Sequence, residues 1–485
     1  FNHFDWKLDF PEVLNPYLVN GKGGFDIVIA NPPYIDSETM VNTGQGELRE
    51  YLSSKMSFCK GNWDIYIAFF DMGFHFLNQN GNLVYITPDK WISKPFGYEL
   101  RKQLKMNFNK IAEAGRKVFQ TAKVDSIITF ISKVESDYLG IDKFSENSIQ
   151  NLGNILKSEL TEPFAFDWLF SPHVDLLRYF DSIPHRFIEY GECENACATS
   201  DAYKLKEYLK DIKPNDFNSV LHFKVINTGT ISKYVSRWGI SEMTYLKDKS
   251  NPTKKYKYLA PVVDKKKFIK GFNNSYSEKS QKPKIIIKGL TLLDACLDYY
   301  AEIIPGKSTL IITKDKTNAD DLYAILSIIN SKLPLFYIKE KYRGSSYNQG
   351  VNFNTDMINN LPIPKIKEKV RGLFKSLSKY LIDLLETEID DVKYQLMPTY
   401  FEQIIDGMVY ELYFPELLKK HNREIIKHLG ELPEFTDGMS DEQKMKICKT
   451  VFDRLNDKEH PVRVNLFYMN SIPEIAIIEG KNENN

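Results

Sequence analysis

Short apolar runs separated by polar turns fill the first third of the chain. Ile27 to Ala30 is an unbroken apolar run and predicts a buried parallel strand. It stops at Asn31, because Pro32 and Pro33 remove two backbone donors and fix the chain's direction. Before it, Phe1 to Leu18 alternates apolar and polar residues and predicts a strand running to Pro11. Gly21 to Gly24 then makes a turn. After it, Asp36 to Cys59 is polar and predicts a mobile loop. Ile65, Ala68, Phe69, Met72 and Phe76 recur at helical spacing, and Asn80-Gly81 reads as the helix stop. Leu83 to Pro88 and Ile127 to Ile131 predict strands, with a helix over Tyr98 to Met106 between them. Strand, helix, strand, helix, strand is the rhythm of a doubly wound α/β sheet.

The pattern then changes. Residues 136–185 predict a connector with helical content from Val174 to Tyr179. Short strands and Lys-rich turns follow. Val370 to Glu386 has helical spacing. Tyr400 to Pro415 reads as packing, and Glu479 to Asn485 as a disordered end.

Length and charge refine this. At 485 residues the chain is long enough for two or three domains. It starts at Phe1 rather than Met, which fits a piece of a longer protein. No apolar run is long enough to span a bilayer, so no membrane partner is expected. The five cysteines are scattered. Cys193 and Cys197 lack a second pair or a His partner, so reduced structural thiols are expected and no metal site. Net charge is zero, yet Lys204 to Lys288 holds 20 Lys or Arg against 7 Asp or Glu. Tyr208, Phe223, Tyr234, Trp238, Tyr245, Tyr256, Tyr258, Phe268, Phe272 and Tyr276 are interleaved with them. Basic residues among aromatics suit a polyanion such as nucleic acid, although a lysine-rich solvated face has the same composition.

The candidate chemistry sits where the first apolar run ends. Ligands of open α/β sheets bind beyond the carboxyl ends of strands. There the chain offers the Asn31 amide oxygen, the Pro32 carbonyl and the flat Tyr34 ring. Two acceptors beside a ring suit a planar group with an amino donor, and adenine is such a group. Asn-Pro is also an ordinary turn signal, so these residues alone leave both readings open.

Four stretches in order decide between them: Asn31-Pro32-Pro33-Tyr34, then Asn62 to Phe70, then Gly81 to Pro88, then Val118-Phe119 with Ala122 and Val124. Together they resemble the gamma-class adenine-N6 DNA methyltransferases fused to restriction nucleases, the type IIG or TaqI-like group. The entry through Phe4-Asp5-Trp6, Phe10-Pro11-Glu12-Val13 and Gly23-Gly24-Phe25-Asp26 is also similar to that group.

The resemblance implies a target adenine flipped out of double-stranded DNA and methylated on N6 from S-adenosylmethionine. It implies that Asn31 and Pro32 accept hydrogen bonds from the amino group, while Tyr34 and Phe119 stack on the two faces of the base. It suggests cofactor or substrate near Asp64 and Tyr66. It implies a fold of α/β class, a partial Rossmann-like methyltransferase sheet over 1–135. The connector 136–185, an α+β target-recognition domain over 186–365 and a helical C-terminal region over 366–485 would follow. In the recognition domain Leu221 to Ile226 is similar to the strand that leads to a Lys233-Tyr234 element, Lys282 to Lys288 to the central strand and Leu322 to Asn330 to a helix of that family. There Lys233, Arg237, Arg343 and Asn348 are candidates for base or phosphate contacts.

One departure stands out. The cofactor's glycine motif and the nuclease of such enzymes lie upstream of the Asn-Pro-Pro-Tyr motif, and this chain has no room for them. The main S-adenosylmethionine site is therefore expected on an upstream segment of the same polypeptide, and the chain alone is expected to be inactive. A bacterial cytoplasmic restriction–modification system is the implied setting. Two other readings stay open. One is a DNA-binding specificity module working with a separate catalytic half. The other is a glutamine or RNA methyltransferase that shares the Asn-Pro-Pro-Tyr motif.

Overall fold

A computed structural model describes residues 4–15, 17–18, 23–115, 125–145, 148–162, 165–247, 255–272, 274–347, 350–436 and 438–481. The chain forms two compact units. The first is Phe1–Val174 with Lys341–Gly344, and the second is Asp175–Glu340 with Ser345–Asn485.

The first unit is built on one sheet: β1 (Phe25–Ala30), β2 (Leu77–Pro88), β3 (Phe108–Gly115), β4 (Ser126–Ser132), β5 (Tyr138–Ser145) and β6 (Ser148–Leu156). Their order across the sheet is β1-β2-β4-β3-β5-β6. β1 and β2 are parallel, and β4 runs antiparallel between β2 and β3. β5 pairs parallel with β3, and β6 antiparallel with β5. The sheet is therefore mixed, with parallel pairs at β1-β2 and β3-β5 and antiparallel pairs elsewhere. β5 and β6 extend it through residues 138–156, the stretch expected to be a connector.

Parallel strands require a crossover, and three helices supply the one from β1 to β2: Ser37–Asn42, Gly46–Lys55 and Tyr66–His75. The first two replace the mobile loop expected over Asp36 to Cys59. The Asp36 side chain starts them by accepting from the Thr39 amide at 2.8 Å. The third buries Tyr66, Ile67, Ala68 and Phe70 against the sheet. Gly73 lets it approach closely, since a Cβ there would sit 2.1 Å from the Tyr85 hydroxyl. Asn80-Gly81 does not stop a helix; it lies within β2, where the pairing with β1 shifts register.

Two further expectations are corrected. The strand predicted to Pro11 is a pair of one-turn helices, Trp6–Asp9 and Pro11–Leu14. Asp5 caps the first and Pro11 opens the second, which overrides the period-2 pattern. β1 is parallel, as its sequence predicts, but it is not buried: Ile27 is 63% exposed and Ile29 75%. It pairs only with β2 among the described residues, so it is a sheet edge.

In the second unit two four-stranded sheets are followed by helices. In one, Lys284–Lys288 lies between Ala295–Asp298 and Thr309–Thr313, with Cys193–Asn195 outermost. The predicted central position of Lys284–Lys288 is thus observed. The other has the order Ile303–Pro305, His222–Ile226, Pro261–Asp264, Lys210–Asp211. Ile231 to Tyr234, which carries the Lys233-Tyr234 element, is a tight turn closed by a bridge between Ile231 and Ser236. Helices Asp321–Asn330, Glu368–Glu386 and Met397–Tyr413 cover the predicted apolar stretches. Most aromatics of the basic stretch are core: Phe223, Tyr245, Phe268, Phe272 and Tyr276 form one buried cluster.

All five cysteines are free thiols, and burial pushes Cys197 up to about 12. Among the described residues no helix is long and apolar enough to cross a membrane.

Candidate active site

β1 delivers its last residue, Ala30, opposite Tyr85 of β2. Residues 31–36 then run without regular structure to the Asp36 cap. Asn31 is exposed, Pro32 buried, Pro33 exposed and Tyr34 half-buried. The Tyr34 hydroxyl donates to the Ile86 carbonyl of β2 at 3.4 Å. Burial pushes its pKa up, against the pull of the Ser126 hydroxyl. The ring is therefore pinned across the ends of β1 and β2, while the Asn31 amide faces solvent.

The loop is held on its far side as well. The Ile35 carbonyl accepts from the Ile65 amide at 2.9 Å, which brings Asp64 beside it. Asp64 is 6% exposed and accepts from the Tyr66 hydroxyl at 3.1 Å. Lys90, just beyond the end of β2, places its ammonium 3.9 Å from the same carboxylate. Burial pushes the Asp64 carboxyl up, and Lys90 and Tyr66 oppose it. Burial and then the neighbouring Asp64 push the Tyr66 phenol well up. Asp89 is raised to about 6 by burial and by Asp125. Arg49 fastens the approach to Asp64, donating to the Trp63 carbonyl at 2.7 Å and the Gly61 carbonyl at 2.8 Å. Its guanidinium also lies 4.4 Å from the centroid of the buried Trp63 ring.

Lys90 and Arg49 carry no sequence signal that separates them from other cations, and only the fold brings them to the motif. Asp64 and Tyr66 stand beside the motif, where the resemblance suggests them. Phe119 and Asn348 lie outside the described residues.

The remaining candidates do not form one group. Lys233 and Arg237 belong to the second unit, on either side of the Ile231–Ser236 turn tip. Arg237 is exposed, and Lys233 lies 4.0 Å from Glu402. Between them Tyr234 is buried at φ 70°, a left-handed conformation that is uncommon for a tyrosine. Backbone bonds to the strand Ala295–Asp298 hold it: Tyr234 N to Ala295 O at 2.7 Å and Leu297 N to Tyr234 O at 3.2 Å. Arg343 groups with the first unit, where its guanidinium donates to the Phe170 carbonyl. Next to it the Gly344 amide donates to buried Asp167 at 2.9 Å.

Among the described residues neither β1 nor β2 leads into a phosphate-binding turn. β1 leads into Asn31-Pro32-Pro33 and β2 into Pro88-Asp89, so neither is followed by a glycine turn opening a helix.

Comparison with known proteins points to one kind of enzyme. Residues 1–119 match the family model described as Eco57I restriction-modification methylase. A Methanocaldococcus jannaschii protein, provisionally named a type II restriction enzyme and methyltransferase, is 23% identical over 470 residues. That match covers 93% of this chain but 36% of the relative, so the chain spans about a third of it. An Escherichia coli type II restriction enzyme and methyltransferase is 31% identical over 128 residues, 26% of this chain and 12% of that protein. A solved DNA complex of the type IIL restriction-modification enzyme MmeI covers 89% of this chain and 57% of its own, at 10% identity and TM-score 0.45. The named relatives are restriction–modification methyltransferases, and the family model lies over the stretch that carries Asn31 to Tyr34.

Proposed function

We propose that this chain carries the adenine pocket and the DNA-specificity domain of a gamma-class adenine-N6 methyltransferase in a type II restriction–modification system. The observation that carries this reading is the Asn31–Tyr34 segment. Its amide is open to solvent at the carboxyl end of β1, and its ring is pinned to β2 beside it. A flipped adenine lying on Tyr34 directs its amino group to the Asn31 side-chain oxygen and the Pro32 carbonyl. Those two acceptors hold both N6 protons, turn the nitrogen lone pair outward and stabilise the positive charge that develops on N6. Phe119 covers the other face of the base. Lys233 and Arg237 are the contacts of the second unit with double-stranded DNA. Arg343 is assigned to packing.

The methyl donor is S-adenosylmethionine, held mainly on an upstream segment of the parent polypeptide. The unpaired edge of β1 and its exposed Ile27 and Ile29 support this, because an edge of that kind is completed by further strands. The same edge keeps the alternative in play, in which the missing half is a separate partner chain.

The test is transfer of labelled methyl groups from S-adenosylmethionine to DNA. The chain should be inactive alone and active with its upstream segment. Asn31→Ala should abolish transfer and leave DNA binding intact. Activity of the chain alone would refute the missing cofactor half. Full activity of Asn31→Ala, or a product other than N6-methyladenine, would refute the pocket.

A further inference from the structure

We propose that Lys90 is a positioning residue that binds the DNA phosphate next to the flipped nucleotide. This rests on the adenine-pocket reading and adds to it a second point of attachment, to the backbone of the same nucleotide.

Lys90 shares a rim with the motif. Ala30 pairs with Tyr85, Tyr34 reaches Ile86, and β2 ends at Pro88, two residues before Lys90. From the other side, Ile65 holds the Ile35 carbonyl, and Asp64 next to it faces Lys90. The next residues along the chain aim the side chain. Trp91 is fully buried, and its indole donates to the Thr87 hydroxyl at 3.1 Å. The Lys90 carbonyl accepts from the amides of Ser93 and Lys94. The backbone is thus fixed while the side chain stays 47% exposed.

Among the described residues its ammonium meets carboxylates only loosely, Asp64 by an ion pair and Asp36 through its field. The distance of 3.9 Å to Asp64 is an ion pair without a hydrogen bond, and that carboxylate already accepts from Tyr66. Nearby cations are committed more tightly. Lys94 donates to the Gly344 carbonyl at 2.7 Å, and Arg49 holds two carbonyls. A solvent-facing cation with spare donors beside a base pocket suits a phosphodiester oxygen. Asp64 then acts as a rest position that keeps the side chain over the loop before DNA arrives.

The experiment measures methyl transfer to plasmid DNA by the chain with its upstream segment, across a range of salt. For Lys90→Ala the KM for DNA should rise about tenfold with kcat little changed. The slope of log kcat/KM against log salt should become shallower by about one. Lys90→Arg should restore both. An unchanged slope overturns the proposal. So does a rise confined to the KM for S-adenosylmethionine, which would assign the ammonium to the cofactor's carboxylate. Asn31→Ala separates the two readings. If it retains transfer, the pocket reading fails first; if it abolishes transfer while Lys90→Ala keeps the wild-type slope, only the Lys90 role fails.

Discussion

Asp298 should matter more to the second unit than the lysine it pairs with. Both partners are buried: Lys284 is 0% exposed and Asp298 4%. Asp298 Oδ2 accepts from Lys284 Nζ at 2.5 Å and from the Ile303 amide at 3.0 Å, and Oδ1 accepts from the Glu302 amide at 2.9 Å. One carboxylate therefore joins the central strand of one sheet to the first residue of a strand in the other. Asp298→Ala leaves a buried cation and two amides without that acceptor. Removing one partner of a buried pair costs about 3–5 kcal/mol, and the amides place this case at the upper end. Lys284→Met leaves the carboxylate with both amide donors and fills the lysine's volume, so about 2 kcal/mol is expected. Hydrogen exchange over Ile285 to Ile287 reads the difference directly. Asp298→Ala should accelerate exchange about five-thousandfold, and Lys284→Met about thirtyfold. The same strand that ends at Asp298 holds Tyr234, so on the proposed role of Lys233 and Arg237 Asp298→Ala should also weaken DNA binding. Equal losses from the two variants, or a larger one from Lys284→Met, would refute the argument that the amides decide the asymmetry.

Two further outcomes are expected. Tyr34→Ala should lower kcat/KM for DNA by about 5- to 150-fold, the worth of one base–aromatic stack at about 1–3 kcal/mol. Tyr34→Phe should cost about tenfold at most, because it removes the hydroxyl's bonds to the Ile86 carbonyl and Ser126 and keeps the ring; equal effects in steady-state assays would assign the role to the hydroxyl rather than the ring. Asp406 is pushed up to about 6 by burial, against the Lys332 amide and ammonium. The folded state then holds a proton that the unfolded state releases above about 4, so this contribution is complete below pH 4 and lost as pH rises through 6. Asp406→Asn should recover at most about 3 kcal/mol of second-unit stability at pH 7 and nothing at pH 4, and denaturation profiles that coincide across that range would refute it.

Local chemistry was the legible part of the fold. Lys284 to Lys288 reads as a strand because three isoleucines in succession fit a strand covered on both faces, and both of its neighbours are present in this chain. The helix Glu368–Glu386 reads from leucines that recur on one face. The failures have physical causes of two kinds. Where pattern competed with capping, capping won: Asp5 and Pro11 make helices of a stretch that alternates like a strand. Where the faces of a strand are solvated, the apolar signal disappears. β6 is exposed along most of its length, and its polar residues concealed a strand inside the expected connector.

At the site, legibility followed the backbone. Two prolines after Asn31 leave so few conformations that the sequence alone predicts a stiff loop with two acceptors, and the structure places it at the end of β1. Lys90 and Arg49 depend instead on tertiary placement. Each is one cation among many until the crossover helices bring Asp64 against the end of β2. Burial misleads in both directions for the same reason. The apolar run of β1 reads as core and is an open edge among the described residues, whereas Phe223, Tyr245 and Phe268 read as part of a stretch suited to a polyanion and are core. Apolar residues show only that a surface is to be covered. Whether this chain or another segment covers it is decided by topology, and for β1 that makes the exposed Ile27 and Ile29 as informative about function as the Asn31 they precede.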